Sequence, residues 1–154
     1  MRIGVIADTH NYFDLCIPRL FAGVDHILHG GDIGRPAILR ALEQIAPVTA
    51  VAGNTDDPGF HYPQTELVEL AGHRFLVQHI VNPQALTDPL KARLARERPA
   101  VVVFGHTHKP FNENIGGTRF FNPGYAGKSR FGLARSVAIL HCGSKPIRAE
   151  YLPL

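Results

Sequence analysis

The chain has 154 residues, 45% of them hydrophobic and 19% charged, with a formal net charge of +3 and a pI near 9.1. This composition excludes a disordered or fibrous chain and suffices for a core, so residues 1–154 are expected to form a single domain. The mild basicity comes without a block of like charge, since "KARLARER" (91–98) mixes signs, so nucleic-acid binding is permitted but unsupported; Cys16 and Cys142 fit neither a metal spacing nor a disulfide framework.

In chain order, the opening "MRIGVIADTH" holds the first apolar run, "RIGVIA" (2–7). It is too short for a signal peptide or a membrane span, which sets the expectation of a cytoplasmic protein without a membrane partner. "HIL" (26–28) and "VTAVA" (48–52) follow as further strands, and "RPAILRALEQI" (35–45) has helical spacing with Pro36 suited to a first turn. The early order of strand, helix, strand, helix, strand predicts a parallel α/β arrangement. "TELVELAGHRFLVQH" (65–79) holds two alternating runs around "AGH" and predicts a β-hairpin. "QALTDPLKARLARER" (84–98) predicts another helix, with Pro89 near its start, and "VVVF" (101–104) a buried strand. Beyond residue 109 the helices fade, and "TRFFN", "RSVAILHC" and "KPIRAEYLPL" read as strands. The expectation is one α/β domain whose second half is richer in antiparallel strands.

How the apolar runs end carries the chemistry. "RIGVIA" ends in Asp8-Thr9-His10, "HIL" in His29-Gly30-Gly31-Asp32, and "VTAVA" in Gly53-Asn54-Thr55-Asp56. "FLV" ends in Gln78-His79, and "VVVF" in Gly105-His106-Thr107-His108. In open α/β sheets the ligand site lies just beyond the carboxyl ends of the strands. The donors are oxygen and nitrogen without sulfur, which suits manganese, iron, zinc or nickel. Seven such side chains exceed one tetrahedral ion and suit two ions sharing a carboxylate. Glycines beside three of them allow close approach.

The ordered set D-x-H, G-D, G-N-x-D, H and G-H-x-H resembles the calcineurin-like metallophosphoesterases, and the short length and G-N-x-D form resemble the small YfcE-type phosphodiesterases among them. "FFNPG" (120–124) is also similar to a stretch that subfamily carries. The resemblance implies a four-layer α/β/β/α sandwich with two mixed sheets flanked by helices. It implies one ion held by Asp8, His10, Asp32 and His108 and another by Asp32, Asn54, His79 and His106, with Asp32 bridging. The implied activity is hydrolysis of a small phosphate ester, foremost a diester, by in-line attack of a metal-bridging hydroxide, with manganese the expected metal. Asp32, Asn54 and Asp56 are the expected catalytic residues, Asp56 through protonation, against its simpler reading as a turn-capping carboxylate. The alternatives are a phosphomonoesterase, a nuclease, or a non-catalytic protein-binding scaffold like the retromer subunit that is similar to this subfamily. A homo-oligomer is compatible with all of these.

The chain departs from the resembled pattern at Asn11, Ile80, Val81, Thr55 and Tyr125, where Gly, Gly, His, the larger phosphatases' His and Ser are common. None of these is a proposed ligand, so the departures bear on the substrate pocket and leaving group. "NPGYAGKS" (122–129) nearly spells a phosphate-binding loop but lacks its first Gly. Lys128, Arg130 and His61 are weighed as substrate contacts and His29 as an orienting residue, while His26, His73 and His141 are expected to be structural.

Overall fold

The computed structural model describes residues 1–130, 132–143 and 146–154. Two five-stranded mixed sheets face each other. The first contains β1 (Arg2–Ile6), β2 (His26–His29), β3 (Val48–Ala50), β9 (Ser136–His141) and β10 (Arg148–Pro153), in the order β10-β9-β1-β2-β3. The second contains β4 (Thr65–Leu70), β5 (His73–Gln78), β6 (Val101–Val103), β7 (Phe111–Ile115) and β8 (Thr118–Asn122), in the order β4-β5-β6-β8-β7. Strands β1, β2 and β3 run parallel, as do β5, β6 and β8, and antiparallel strands close each sheet.

Strand alternation explains the layering. Ile3 and Val5 of β1 join Val101 and Val103 of β6 in a core between the sheets, whereas Ile6 joins an outer cluster with Ile17, Phe21, Ile38 and Leu42. Those residues lie on or beside helices α1 (Ile17–Leu20) and α2 (Ala37–Glu43), which cover the first sheet. Val102 points the other way, into a cluster with Leu90 of α3 (Asp88–Glu97). Two helical layers outside two sheets make the expected α/β/β/α sandwich. Each fully buried valine of β6 contributes about 1.5–3 kcal/mol, which explains why so short a strand stays in place.

Local chemistry sets the ends. The Thr87 hydroxyl accepts from Leu90 N–H at the start of α3, with Pro89 in its first turn, and Arg98 ends it in the left-handed region. The hairpin over 65–79 forms through Ala71 and Gly72, both at positive φ. Strand β3 stops at Ala50, short of the expected 52, and helix α1 is a single turn. Strand β7 went unanticipated, because "FNENI" is an exposed edge whose central residues are polar. Its turn, Gly116-Gly117, has φ of 59° and 84°, as a tight hairpin requires. The expected final strand starts at Lys145, outside the described residues, and is observed from Arg148. No helix among the described residues is long and apolar enough to cross a membrane.

Candidate metal centre

The loops after β1, β2, β3, β5 and β6 converge at one end of the sandwich, held by main-chain ties. Asp8 N–H donates to Gly31 O at 3.0 Å, His10 N–H to Asp32 O at 2.9 Å, and Gly105 N–H to His79 O at 3.0 Å. Five of the expected ligands, Asp8, His10, Asp32, His106 and His108, have φ between 46° and 68°. That conformation costs about 1–3 kcal/mol per residue and concentrates at functional sites. Asp and His tolerate it better than most residues.

Asp8, His10, Asp32 and His108 each offer one ligand atom, and these atoms all lie within 4.8 Å of one another. His10 Nε2 is 3.3 Å from His108 Nε2, and His108 Nε2 is 3.3 Å from Asp8 Oδ1. The other three gather around Asn54, whose Oδ1 lies 3.1 Å from His79 Nε2 and 2.9 Å from His106 Nδ1. Asp32 stands between the groups, its Oδ2 3.7 Å from His10 Nε2 and 3.4 Å from His79 Nε2. All seven expected ligands are therefore brought together.

The electrostatics fit a cation. Burial pushes the Asp8 carboxyl up to about 7, with the nearby Asp32 charge adding to it and His79 opposing. A divalent ion would offset that burial cost. Burial lowers both His10 and His108, keeping their lone pairs free, and the Arg130 charge pushes each the same way. Burial alone would raise Asp32, but the His79 side chain and the Thr55 N–H at 2.9 Å hold it well below the usual carboxylate range. His79 Nδ1 lies 2.7 Å from Gly30 O, which fixes the proton there and turns Nε2 toward the centre. The glycines leave room for this packing. A Cβ on Gly53 would sit 2.0 Å from Asp32 Oδ1, and one on Gly31 would sit 2.6 Å from His79 Nδ1.

Asp56 has the geometry of its turn-capping reading. Its carboxylate accepts from the N–H groups of Ile33 at 3.1 Å, Gly34 at 2.7 Å and Gly53 at 2.8 Å. It ties the Asp32 loop to the Asn54 loop, and the geometry lends no support to a role in proton transfer. His29 is fully buried, with Nδ1 accepting from Gly31 N–H at 3.2 Å. Its Nε2–H then donates to the Thr9 hydroxyl at 3.1 Å, which donates to Ile33 O at 2.9 Å. His61 lines a cavity together with Asn54. Arg130 lies over the Tyr125 ring, 5.9 Å from its centroid. Lys128 is exposed, and its carbonyl accepts from the Tyr125 hydroxyl.

Two residues support the site through contacts that no sequence pattern indicated. Tyr125 is fully buried with its ring centroid 4.7 Å from that of His108. Asn122 Nδ2 donates to Gly105 O at 2.9 Å and to the Thr107 hydroxyl at 3.2 Å, steadying the loop that carries both histidines. Asn122 lies in "FFNPG" (120–124), where the resemblance to the subfamily was the available signal, and Tyr125 follows it at a position that departs from the resembled pattern.

Comparison with known proteins bears on the fold and the family. The chain is 38% identical over 163 residues to a probable metallophosphoesterase of Methanocaldococcus jannaschii, covering 100% of this chain and 82% of that protein. Its fold matches that of an archaeal phosphodiesterase with a TM-score of 0.79 at 21% identity, covering 100% of both chains. It also matches zinc-complexed Vps29 from Entamoeba histolytica with a TM-score of 0.75 at 20% identity, covering 99% of both. Residues 1–145 match the calcineurin-like phosphoesterase superfamily domain, and the chain belongs to that superfamily.

Proposed function

We propose that the chain is a phosphodiesterase working with two divalent ions, manganese foremost. Asp8, His10, Asp32 and His108 would hold one, and Asp32, Asn54, His79 and His106 the other. The observation that carries this is the position of Asp32 Oδ2, within 3.7 Å of a histidine nitrogen in each group. When bound, such ions supply a water activated near neutral pH and positive charge for the phosphoryl oxygens. The chain's own groups do the positioning. Thr55 N–H engages Asp32 Oδ1 and leaves Oδ2 for the shared position. Asn54 turns Oδ1 to the two imidazoles, so its amide N–H groups are available to a phosphate oxygen. Position 55 is a threonine and brings no imidazole to protonate a leaving group. Esters with acidic leaving groups, such as aryl diesters, are therefore the favoured substrates.

We further propose that residues 1–154 work as one domain. A protein-binding scaffold is the second reading, favoured by the fold shared with Vps29, but a complete donor set favours hydrolysis. The test removes metal with a chelator and adds back manganese, nickel, iron or zinc. Hydrolysis of an aryl diester, an aryl monoester and an alkyl monoester is then measured beside the melting temperature. The expected result is activity lost and restored, the diester cleaved fastest, and a melting point raised by manganese. Full activity without metal refutes the dinuclear reading, and a clear preference for the alkyl monoester refutes the diesterase.

A further inference from the structure

A cavity of about 540 Å³ borders the centre, between the loops that follow β5 and β6. It falls within the roughly 300–1,000 Å³ of small-molecule sites. Ile80, Val81, Phe104 and Phe111 give it an apolar wall, Lys109 supplies a cation, and His106 belongs to both the cavity and the metal centre. Ile80 is 51% exposed, a branched apolar side chain left facing water. Phe104 and Phe111 form a tilted pair with centroids 5.8 Å apart and planes at 59°. The centre also borders a second cavity of about 350 Å³, whose mixed lining includes Asn54, Gln64, Thr65 and Gln78 and which shares Ile80 with the first.

We propose that the apolar cavity binds an aromatic group esterified to the substrate phosphate. This rests on the reading of the centre as a phosphoesterase. Because His106 is shared, a phosphate at the centre brings its ester substituent to the mouth of the cavity. The phosphate charge belongs with the divalent ions that the histidines and carboxylates would hold, so the neutral ring is the part that enters. A ring gains more than a chain here. Phe111, partly exposed at the cavity wall, offers it an edge or face contact, and Lys109 can approach its face. An apolar cavity is also a poor site for ordered water, so filling it costs little desolvation.

The test compares 1-naphthylphosphonate with methylphosphonate, neither of which is hydrolysed, by calorimetric titration of manganese-loaded protein. The naphthyl compound is expected to bind at least about tenfold more tightly. That preference is expected to fall at least about fivefold in Ile80→Ser, the scale of one lost apolar contact surface. Ile80 is half exposed, so the substitution does not threaten the core. Equal affinities, or a preference that survives Ile80→Ser, overturn the proposal. Octylphosphonate bound as tightly as the naphthyl compound overturns the aromatic assignment. A second probe, 2-naphthol, carries no phosphate and separates this inference from the metal reading. Its fluorescence change on binding metal-free protein, weakened by Ile80→Ser, supports the cavity even if no ester is hydrolysed. Ester hydrolysis with no naphthol binding overturns the cavity and leaves the centre standing.

Discussion

Gly53→Ala adds one methyl group to a residue that ligates nothing, yet it is expected to disable the centre. A Cβ there would lie 2.0 Å from Asp32 Oδ1 and 2.2 Å from the Asp32 main-chain nitrogen. Rotating the Asp32 side chain relieves only the first clash, so the loop itself must move. Overpacking of this kind costs about 1–3 kcal/mol. Moving the carboxylate also breaks its 2.9 Å bond from Thr55 N–H, and a hydrogen bond to a charged group is worth about 1.5–3 kcal/mol. The two costs overlap, giving an expected destabilisation of roughly 2–5 kcal/mol. An error of about 1 Å at a reacting centre costs on the order of a hundredfold in rate. Urea unfolding, manganese titration and aryl-diester hydrolysis read the three effects. The control is Gly72→Ala, where φ is +75° but no atom lies within 4 Å of an added Cβ. It should cost about 1 kcal/mol of stability and leave manganese affinity alone. A Gly53→Ala protein within about 0.5 kcal/mol of the parent, binding manganese and turning over normally, would refute the close-approach argument.

Other expectations follow from the same geometry. Asp32→Asn keeps the shape but removes the shared negative charge, so the hydrolysis rate should fall at least about a hundredfold while the circular dichroism spectrum is retained; a near-parental rate contradicts the bridging role. Asp56→Ala leaves three main-chain N–H groups without their acceptor and should destabilise the fold by roughly 2–4 kcal/mol, read by denaturant unfolding; an unchanged midpoint removes its loop-tying role. Burial pushes His29 from 6.5 down to about 3, so below pH 6.5 the unfolded chain takes up a proton that the folded chain refuses. Its contribution to stability is thus complete above that pH and is lost as pH falls toward 3, by up to about 1.4 kcal/mol per pH unit. In chelated protein, His29→Gln should flatten the stability–pH slope between pH 6 and 4, and an unchanged slope contradicts the assignment.

Much of the candidate site was legible in the chain because its residues terminate apolar runs. A strand that must be buried shows as a run of valine and isoleucine, and the residue just past it faces the sheet's carboxyl edge. Asp8, Asp32, Asn54, His79 and His106 could be found in that way. Strand β7 could not, because its edge position removes the need for an apolar face. Asp56 was left with two readings for a related reason. A carboxylate two residues past Asn54 looks the same whether it serves a proton or three main-chain amides, and only the approach of the Asp32 loop distinguishes the two.

Periodicity and composition by themselves determined most of the strands, most of the helices, the α/β class and the order of the donor residues, because each depends on the burial of nearby positions, while the four-layer arrangement came from the resemblance of the motif set. Tertiary structure alone decided that His106 N–H reaches the Asp8 carboxylate, 98 positions away along the chain. It also decided that Tyr125 packs beneath His108 and that an apolar cavity opens beside His106. These depend on how two sheets meet across a shared core, and no local pattern of residues encodes that distance.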